Sequence, residues 1–188
     1  MPPKKRWKRQ SINSNGSTNE PNSLRLPSQE ALLEFAVKRL ARRPHTIAEL
    51  KAQLLNRSED GTIVDTIIQR LIHLGYLNDR KFAEFFAQSS VESKLHGRLR
   101  IERELVTHGV DTELVRQVLE EQFPRSKEAD QLSRALERKL ATLSPPLDAK
   151  KLSRLYNHLV RQGFAEDAVE IAMEKRFGDH HYFTADRN

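Results

Sequence analysis

The sequence predicts an all-α protein made of tandem three-helix modules, and three observations support that fold class. Apolar residues recur at the spacing of one helix face from Ser28 onward. Strand-like alternation of apolar and polar residues does not occur at useful length. A helix ending centred on glycine occurs three times. We therefore expect about nine helices in an elongated, curved body behind a disordered basic N-terminal tail.

Residues 1–27 form the predicted disordered tail. They combine basic residues, a Ser- and Asn-rich stretch and two prolines, without a periodic apolar pattern. Six basic residues and one acidic residue give the tail a charge of +5, most of the net +6 of the chain. A nucleic-acid arm, an import signal and a solvated tail with non-specific attraction are open interpretations of its five clustered cations. These are Lys4, Lys5, Arg6, Lys8 and Arg9.

Three helices are predicted between Ser28 and Gly75. The first ends before Pro44, because proline cannot continue a helix. The second begins at a capping box, in which the side chains of Thr46 and Glu49 each accept a hydrogen bond from the other's backbone. The predicted buried stripes are Leu32, Ala36 and Leu40, then Ile47, Leu50 and Leu54, then Ile63, Ile67 and Leu71.

A repeated helix ending is the most informative feature of the sequence. In each copy, apolar positions eight, four and three residues before a glycine mark one helix face. Glycine is expected in the left-handed C′ position, with the next apolar side chain folded back onto the last turn. An acidic residue that can start another helix follows within four positions. The endings are centred on Gly75–Tyr76, Gly109–Val110 and Gly163–Phe164.

The repeats suggest three helical modules at 28–77, 78–125 and 126–178, followed by a C-terminal tail at 179–188. Gly75 closes the third helix of its module, whereas the other two glycines close a second helix, so the register near Gly75 stays open. A module of about 50 residues buries little surface alone, and contacts between modules are expected to add stability.

The sequence contains no enzyme signature, and we expect no catalysis. A glycine-rich phosphate loop, a Gly-x-Ser-x-Gly elbow and a His-Glu-x-x-His pair are all missing. The chain has no cysteine, and its seven histidines form no metal-binding pattern, so neither a metal nor another cofactor is expected. No apolar run approaches the roughly 18 residues of a membrane span, which predicts a cytoplasmic protein without a membrane partner.

Basic residues on two predicted helices are the candidate binding residues. Before Gly109, the side chains of His96, Arg100, Arg103 and Thr107 are expected on one exposed face. Arg100 and Arg154 both stand nine residues before their glycine, so two modules place a base at an equivalent position. Solvated outer faces are the alternative interpretation. The candidate cations are Lys94, Arg98, Arg100, Arg103, Lys151, Arg154 and Arg161, with His158 between the last two.

Two central segments carry a resemblance to a known family. Leu-Gly-Tyr-Leu-Asn-Asp-Arg-Lys-Phe-Ala at 74–83, and Gly-Arg-Leu-Arg-Ile-Glu-Arg-Glu-Leu at 97–105 followed by Gly109-Val110, are similar to the RecX regulators of RecA recombinase. The similarity extends over 28–178, with the third module matching mainly by its helix pattern and Gly163-Phe164. The basic tail departs from the family pattern.

The resemblance implies a non-catalytic protein of tandem three-helix modules that acts in DNA recombination, DNA repair and the SOS response. It implies binding within the groove of a RecA–single-stranded-DNA filament, which hinders filament extension and dampens recombinase and coprotease activities. The expected protein is a monomer whose partner is the RecA filament, with non-specific DNA binding left open.

A helix-turn-helix or winged-helix transcription regulator is the main alternative. Thr46-Ile-Ala-Glu-Leu leads into a helix, and Gly-Tyr-Leu follows the next one. That next helix, at 62–74, offers few base-reading side chains beyond Gln69, Arg70 and His73, and no wing is readable after Leu77. A structural helical adaptor is a third interpretation. Strong sequence preference on duplex DNA would favour the regulator, and dependence on RecA would favour the RecX interpretation.

Overall fold

The computed structural model describes residues 28–178, and this range contains nine α-helices and no β-strand, which confirms the all-α prediction. A π-helical turn at Ser90–Lys94 follows the fourth helix, and a 3₁₀ turn at Arg125–Lys127 precedes the seventh. The predicted tails at 1–27 and 179–188 lie outside the described residues. The helices are α1 (Gln29–Leu40), α2 (Ile47–Leu55), α3 (Gly61–His73), α4 (Asp79–Ser89), α5 (Arg98–Thr107), α6 (Thr112–Gln122), α7 (Glu128–Leu140), α8 (Ala149–Arg161) and α9 (Glu166–Phe177).

Each set of three consecutive helices encloses an apolar core of its own. We call these sets the first unit (α1–α3), the second unit (α4–α6) and the third unit (α7–α9). Nine buried apolar residues form each core, so no unit dominates the molecule. The largest fully buried side chains include Leu50, Leu54, Ile67 and Leu71 in the first unit, Ile101, Leu105 and Leu119 in the second, and Leu132, Leu155 and Phe164 in the third.

The start of α2 shows half of the predicted capping box. The Thr46 hydroxyl oxygen accepts a hydrogen bond from the Glu49 amide at 3.0 Å, as an N-cap side chain does. The Glu49 carboxylate does not complete the box, because it bonds to Arg43 at 3.0 Å and to the His108 ring at 2.7 Å. These two side-chain partners occupy both oxygens of the carboxylate.

The three glycine endings have the backbone that the repeat predicts. The φ angles of Gly75, Gly109 and Gly163 are +75°, +80° and +93°, in the left-handed region that glycine enters without steric cost. After each glycine, the next amide donates to a carbonyl five residues earlier, for example from Val110 to Leu105 at 3.1 Å. This bond is the mark of a Schellman motif.

The side chain that follows Gly75 departs from the prediction. Val110 and Phe164 fold back and are buried, whereas Tyr76 is 63% exposed. In the first unit Leu77 is buried instead, and it packs in the same core as Leu71. The apolar residue after Tyr76 therefore competes with it, and the more hydrophobic leucine is the one buried.

The second helices of the three units lie head to tail, in an arrangement that we call the helix row. At one junction the C-terminus of α8 meets the N-terminus of α5, where the amides of Gly97 and Leu99 donate to the carbonyls of Gln162 and Gly163 at 2.8 Å and 3.1 Å. Free amides at a helix start and free carbonyls at a helix end thus satisfy one another. The negative end of the α8 dipole also meets the positive end of the α5 dipole, which adds to this attraction.

The second junction of the helix row joins the C-terminus of α5 to the N-terminus of α2. The Thr46 hydroxyl donates to the His108 carbonyl at 2.6 Å, and the His108 ring bonds to Glu49. A Cβ atom at Gly109 would collide with the Cβ of Ala48, so glycine permits this close approach. The helix row therefore runs α8–α5–α2 and joins the three units end to end.

Candidate functional site

Arg98 closes the C-terminus of α6. Its side chain is only 14% exposed, and its Nη1 donates to the carbonyls of Leu119 and Phe123 at 3.1 Å and 3.0 Å. Its Nη2 also pairs with Glu120 at 3.0 Å. A cation near a helix C-terminus satisfies free carbonyls and interacts favourably with the helix dipole. Arg98 therefore holds α5 against α6.

Arg100 lies at the junction between the second and third units. Its Nε donates to Glu104 at 2.8 Å, and its Nη1 donates to the Gln162 side chain at 3.3 Å. Arg154, its counterpart in the repeat, is exposed on α8 without an ion pair among the described residues. The equal sequence spacing of the two arginines therefore does not give them equal surroundings.

The prediction that His96 lies on the exposed face of α5 is wrong. Helix α5 begins at Arg98 with Gly97 as its N-cap, so His96 precedes the helix. The residue is 6% exposed, and its Nδ1 has no hydrogen-bond partner. Burial lowers the pKa of His96, and the positive charge of Arg100 lowers it further. Gly97 ends the preceding segment because only glycine fits against Gly163 at this junction.

The two candidate lysines have different environments. Lys94 is exposed at the end of the π-helical turn, with its ammonium 5.8 Å from the centre of the Phe86 ring. Lys151 donates from its ammonium to the carbonyls of Ser144 and Pro146 at 2.7 Å and 2.8 Å. Lys151 thus holds the loop before α8 in place. Lys94 forms no ion pair among the described residues.

Three candidate arginines are exposed along two helices of the helix row. Arg103 is on α5, and Arg154 and Arg161 are two turns apart on α8, about 10 Å along the axis. None of the three forms an ion pair within residues 28–178. A partner with acidic groups can bind these cations without breaking an internal ion pair.

The structure adds a basic cleft that the sequence analysis missed. This junction cleft lies between α7, α8 and the end of the π-helical turn, and its volume is about 220 Å³. Arg138 and Lys139 contribute two of its cations from the last turn of α7. Two adjacent basic residues in the sequence are only weak evidence of a binding cleft, because basic residues are common in the last turn of a helix. The cleft is lined by Lys94, Leu95, Ala135, Arg138, Lys139, Thr142, His158 and Gln162.

Residues 28–178 lack the features of several other classes of site. No helix there is long and apolar enough to cross a bilayer. No group of three histidine or acidic side chains there is placed to hold a metal ion. The exposed face of α3 includes Asp65, which pairs with Lys51 at 2.7 Å, and residues 28–178 contain no strand for a wing. These features do not favour the alternative of a winged-helix regulator.

The fold defines an all-helical protein built of three-helix units that are joined end to end, with exposed cations along the helix row. Comparison with known families agrees with this class, since the model described as RecX, second three-helix domain, matches residues 78–119 within the second unit. A protein of Halorhodospira halophila named Regulatory protein RecX is 34% identical over 147 residues, which cover 77% of this chain and 88% of the relative. The chain belongs to the RecX family of regulatory proteins.

Other relatives and a solved structure extend this similarity. Proteins of the same name from Trichlorobacter lovleyi and Bacillus cytotoxicus are 29% and 25% identical over 74% and 78% of this chain. The matched regions cover 92% of the first relative and 54% of the second, so the chain spans about half of the longer one. The crystal structure of RecX from Lactobacillus salivarius has a TM-score of 0.66 at 18% identity, covers 78% of this chain and 95% of its own, and confirms the fold.

Proposed function

We propose that this chain binds the RecA–single-stranded-DNA filament and inhibits its recombinase and coprotease activities without catalysing a reaction. The helix row is the observation that carries this proposal. It joins three units end to end, and a filament of repeated subunits offers a matching series of contact points. Membership of a family of regulatory proteins supports the regulatory role. We infer that the chain acts as a cytoplasmic monomer.

The exposed arginines are the proposed filament contacts. Arg103, Arg154 and Arg161 have no ion pair to break among the described residues, so an acidic surface gains their full attraction at modest desolvation cost. Several such contacts along one rigid row act together, and their combined affinity exceeds that of any single contact. Arg98, Arg100 and Lys151 support these contacts indirectly, because their charged groups hold helix ends and loops in place.

A binding assay with charge-reversal variants tests the proposal. RecA filaments assembled on single-stranded DNA are sedimented with wild type, Arg103→Glu, Arg154→Glu and the double variant. We expect the double variant to lose at least about tenfold in affinity, more than either single variant. Arg70→Glu is the matched control, since Arg70 is exposed on α3, outside the helix row, and also has no ion pair among the described residues.

Two results would contradict this proposal. One is wild-type affinity of the double variant, provided that circular dichroism shows unchanged helix content. The other is an equal loss in Arg70→Glu, which would show that only net charge matters. Inhibition is measured in parallel by strand exchange and by RecA-stimulated repressor cleavage, and both activities are expected to recover in proportion to the lost binding.

A further inference from the structure

The junction cleft concentrates positive charge from two units. Lys94 comes from the second unit, and Arg138, Lys139 and His158 come from the third. No carboxylate lines the cleft. Arg138 bonds only to the carbonyl of Ser93, at 3.3 Å, and the two lysines form no ion pair among the described residues. The cations therefore converge on one concave space without internal neutralisation.

The surroundings of the cleft maintain this positive potential. The charge of Lys94 acts on the carboxylate of Glu104, which is already bonded to Arg100 at 2.8 Å. Burial lowers the pKa of His158, and the charges of Lys139 and Arg161 lower it further. A neutral imidazole next to several cations remains available as a hydrogen-bond donor. An anion in the cleft thus meets fixed charges and a neutral donor.

Gln162 supplies a further donor to the same space. Its amide oxygen accepts from Arg100 at 3.3 Å, which orients the side chain and leaves the NH₂ group for a ligand. Thr142 is less available, because its hydroxyl already donates to the Lys139 carbonyl at 2.7 Å. The cleft therefore offers donors of two kinds, charged and neutral, as sites for phosphate oxygens commonly do.

The backbone beside the cleft is held in a rarely used conformation. Leu95 follows the π-helical turn with a φ of +55°, in the left-handed region that costs a non-glycine residue free energy. Its side chain packs against the core of the third unit, although the residue belongs to the segment between α4 and α5. This packing fixes Lys94 opposite α7. Strained residues and π-helical turns are concentrated at functional sites.

We propose that the junction cleft binds a backbone phosphate of single-stranded DNA. A phosphodiester fits the charge and the donors, and the volume of about 220 Å³ accommodates a phosphate with its sugar. Arg161 lies beside His158, so a neighbouring phosphate of the same strand can reach a second cation. Repeated phosphates along a strand use such successive cations better than a single carboxylate of a protein surface does.

The proposal is tested with the full chain and DNA alone, so its outcome does not depend on RecA binding. Anisotropy of a labelled oligothymidine is measured across a salt series for wild type and for the double variant Lys94→Gln, Lys139→Gln. We expect the variant to bind about tenfold more weakly, with a log–log salt slope smaller by about 0.7 for the one lost phosphate contact. The control, Arg42→Gln with Arg70→Gln, removes two exposed cations of the first unit and should change affinity about twofold at most.

Three results would overturn the phosphate site. If the cleft variant and the control weakened DNA binding equally, the effect would depend on net charge alone. Wild-type DNA binding by the cleft variant, or no DNA binding by wild type at low salt, would also refute it. If the cleft variant kept DNA binding but lost binding to DNA-free RecA, the cleft would bind an acidic protein surface instead. The single variant Lys94→Gln, at an exposed position, repeats the test should the double variant lose helix content.

Discussion

Gly97 and Gly163 face each other at the α8–α5 junction, and the reason for glycine at position 97 differs from the reason at position 75. A Cβ atom at Gly97 would overlap the backbone of Gly163, although the φ of Gly97 is an ordinary −76°. Gly75 has a φ of +75° with open space around it. One glycine is therefore required by close approach, and the other by backbone conformation.

Alanine substitutions separate these two requirements. Gly75→Ala places a side chain in the left-handed region, which costs about 1–2 kcal/mol. Gly97→Ala forces the junction apart, and overpacking of this kind costs about 1–3 kcal/mol, with added loss of the two junction hydrogen bonds. We expect Gly97→Ala to be the more destabilising variant in urea unfolding. A smaller cost at Gly97 than at Gly75 would contradict the close approach.

The buried His96 ring makes stability depend on pH. Burial lowers its pKa below the ordinary 6.5, so the unfolded chain binds the proton more readily than the folded one. Its contribution is therefore present above about pH 6.5 and is lost as the pH falls. His45 and His158 have lowered pKa values for the same main reason and act in the same direction.

The variant His96→Gln isolates this contribution. We expect the loss of unfolding free energy between about pH 7.5 and about pH 5 to be smaller in the variant by about 1 kcal/mol. Urea unfolding at the two pH values measures the difference, and His45 and His158 cancel because both proteins retain them. An equal pH dependence in wild type and variant would show that His96 does not titrate between the two states.

At the scale of helices and their ends, local signals were predictable and distant partners were not. The Schellman endings at Gly109 and Gly163 follow from a short apolar and glycine pattern, because all their bonds lie within six residues. The junction bonds join residues about sixty positions apart, such as Thr46 and His108, which are 62 apart. No local pattern marks such a pair.

The candidate cations show the same limit. Arg103 and Arg154 are exposed, as helix periodicity predicts. Arg98 and Arg100 are on the same helix as Arg103, yet their guanidinium groups bond to α6 and to Gln162. Periodicity gives the direction of a side chain around its own helix, and it does not show which other element packs there. The division at 77/78 and 125/126 stays a prediction.

Amide exchange at Leu99 reports on the α8–α5 junction. Its amide donates to the Gly163 carbonyl, whereas the Val110 amide at the other end of α5 bonds within the second unit. In Gly163→Val we expect Leu99 to exchange at least about tenfold faster, with Val110 little changed. Hydrogen-exchange NMR measures both amides in one experiment. Equal acceleration at both positions would indicate general loss of structure in the second unit rather than an opened junction.

For the whole molecule, net charge and the proposed contact surface are separate properties. The N-terminal residues 1–27 carry +5 of the net +6, whereas the exposed arginines of the helix row lie in a nearly neutral body. Long-range attraction and specific contact therefore depend on different parts of the chain.

Deletion of residues 1–24 tests that separation. The deletion removes Lys4, Lys5, Arg6, Lys8 and Arg9, so the salt dependence of filament binding should become flatter. Inhibition at low salt should remain measurable, because the helix row is unchanged. Sedimentation across a salt series and strand exchange at low salt give the two readings. Complete loss of inhibition at low salt would make the tail part of the inhibitory mechanism.

The helix row has a polarity, and it repeats once in each three-helix unit. Each junction joins the end of one second helix to the start of the next, so both junctions point the same way along the row. The helix row begins at the N-terminus of α8, which Asp148 caps. It finishes at the C-terminus of α2, where the Ser58 amide donates to the Leu54 carbonyl. Because each unit keeps its own core, length in this architecture changes by whole units and leaves existing interiors intact. The protein is thus built in steps of one three-helix unit, and its length can increase by a unit without changes in the cores of the other units.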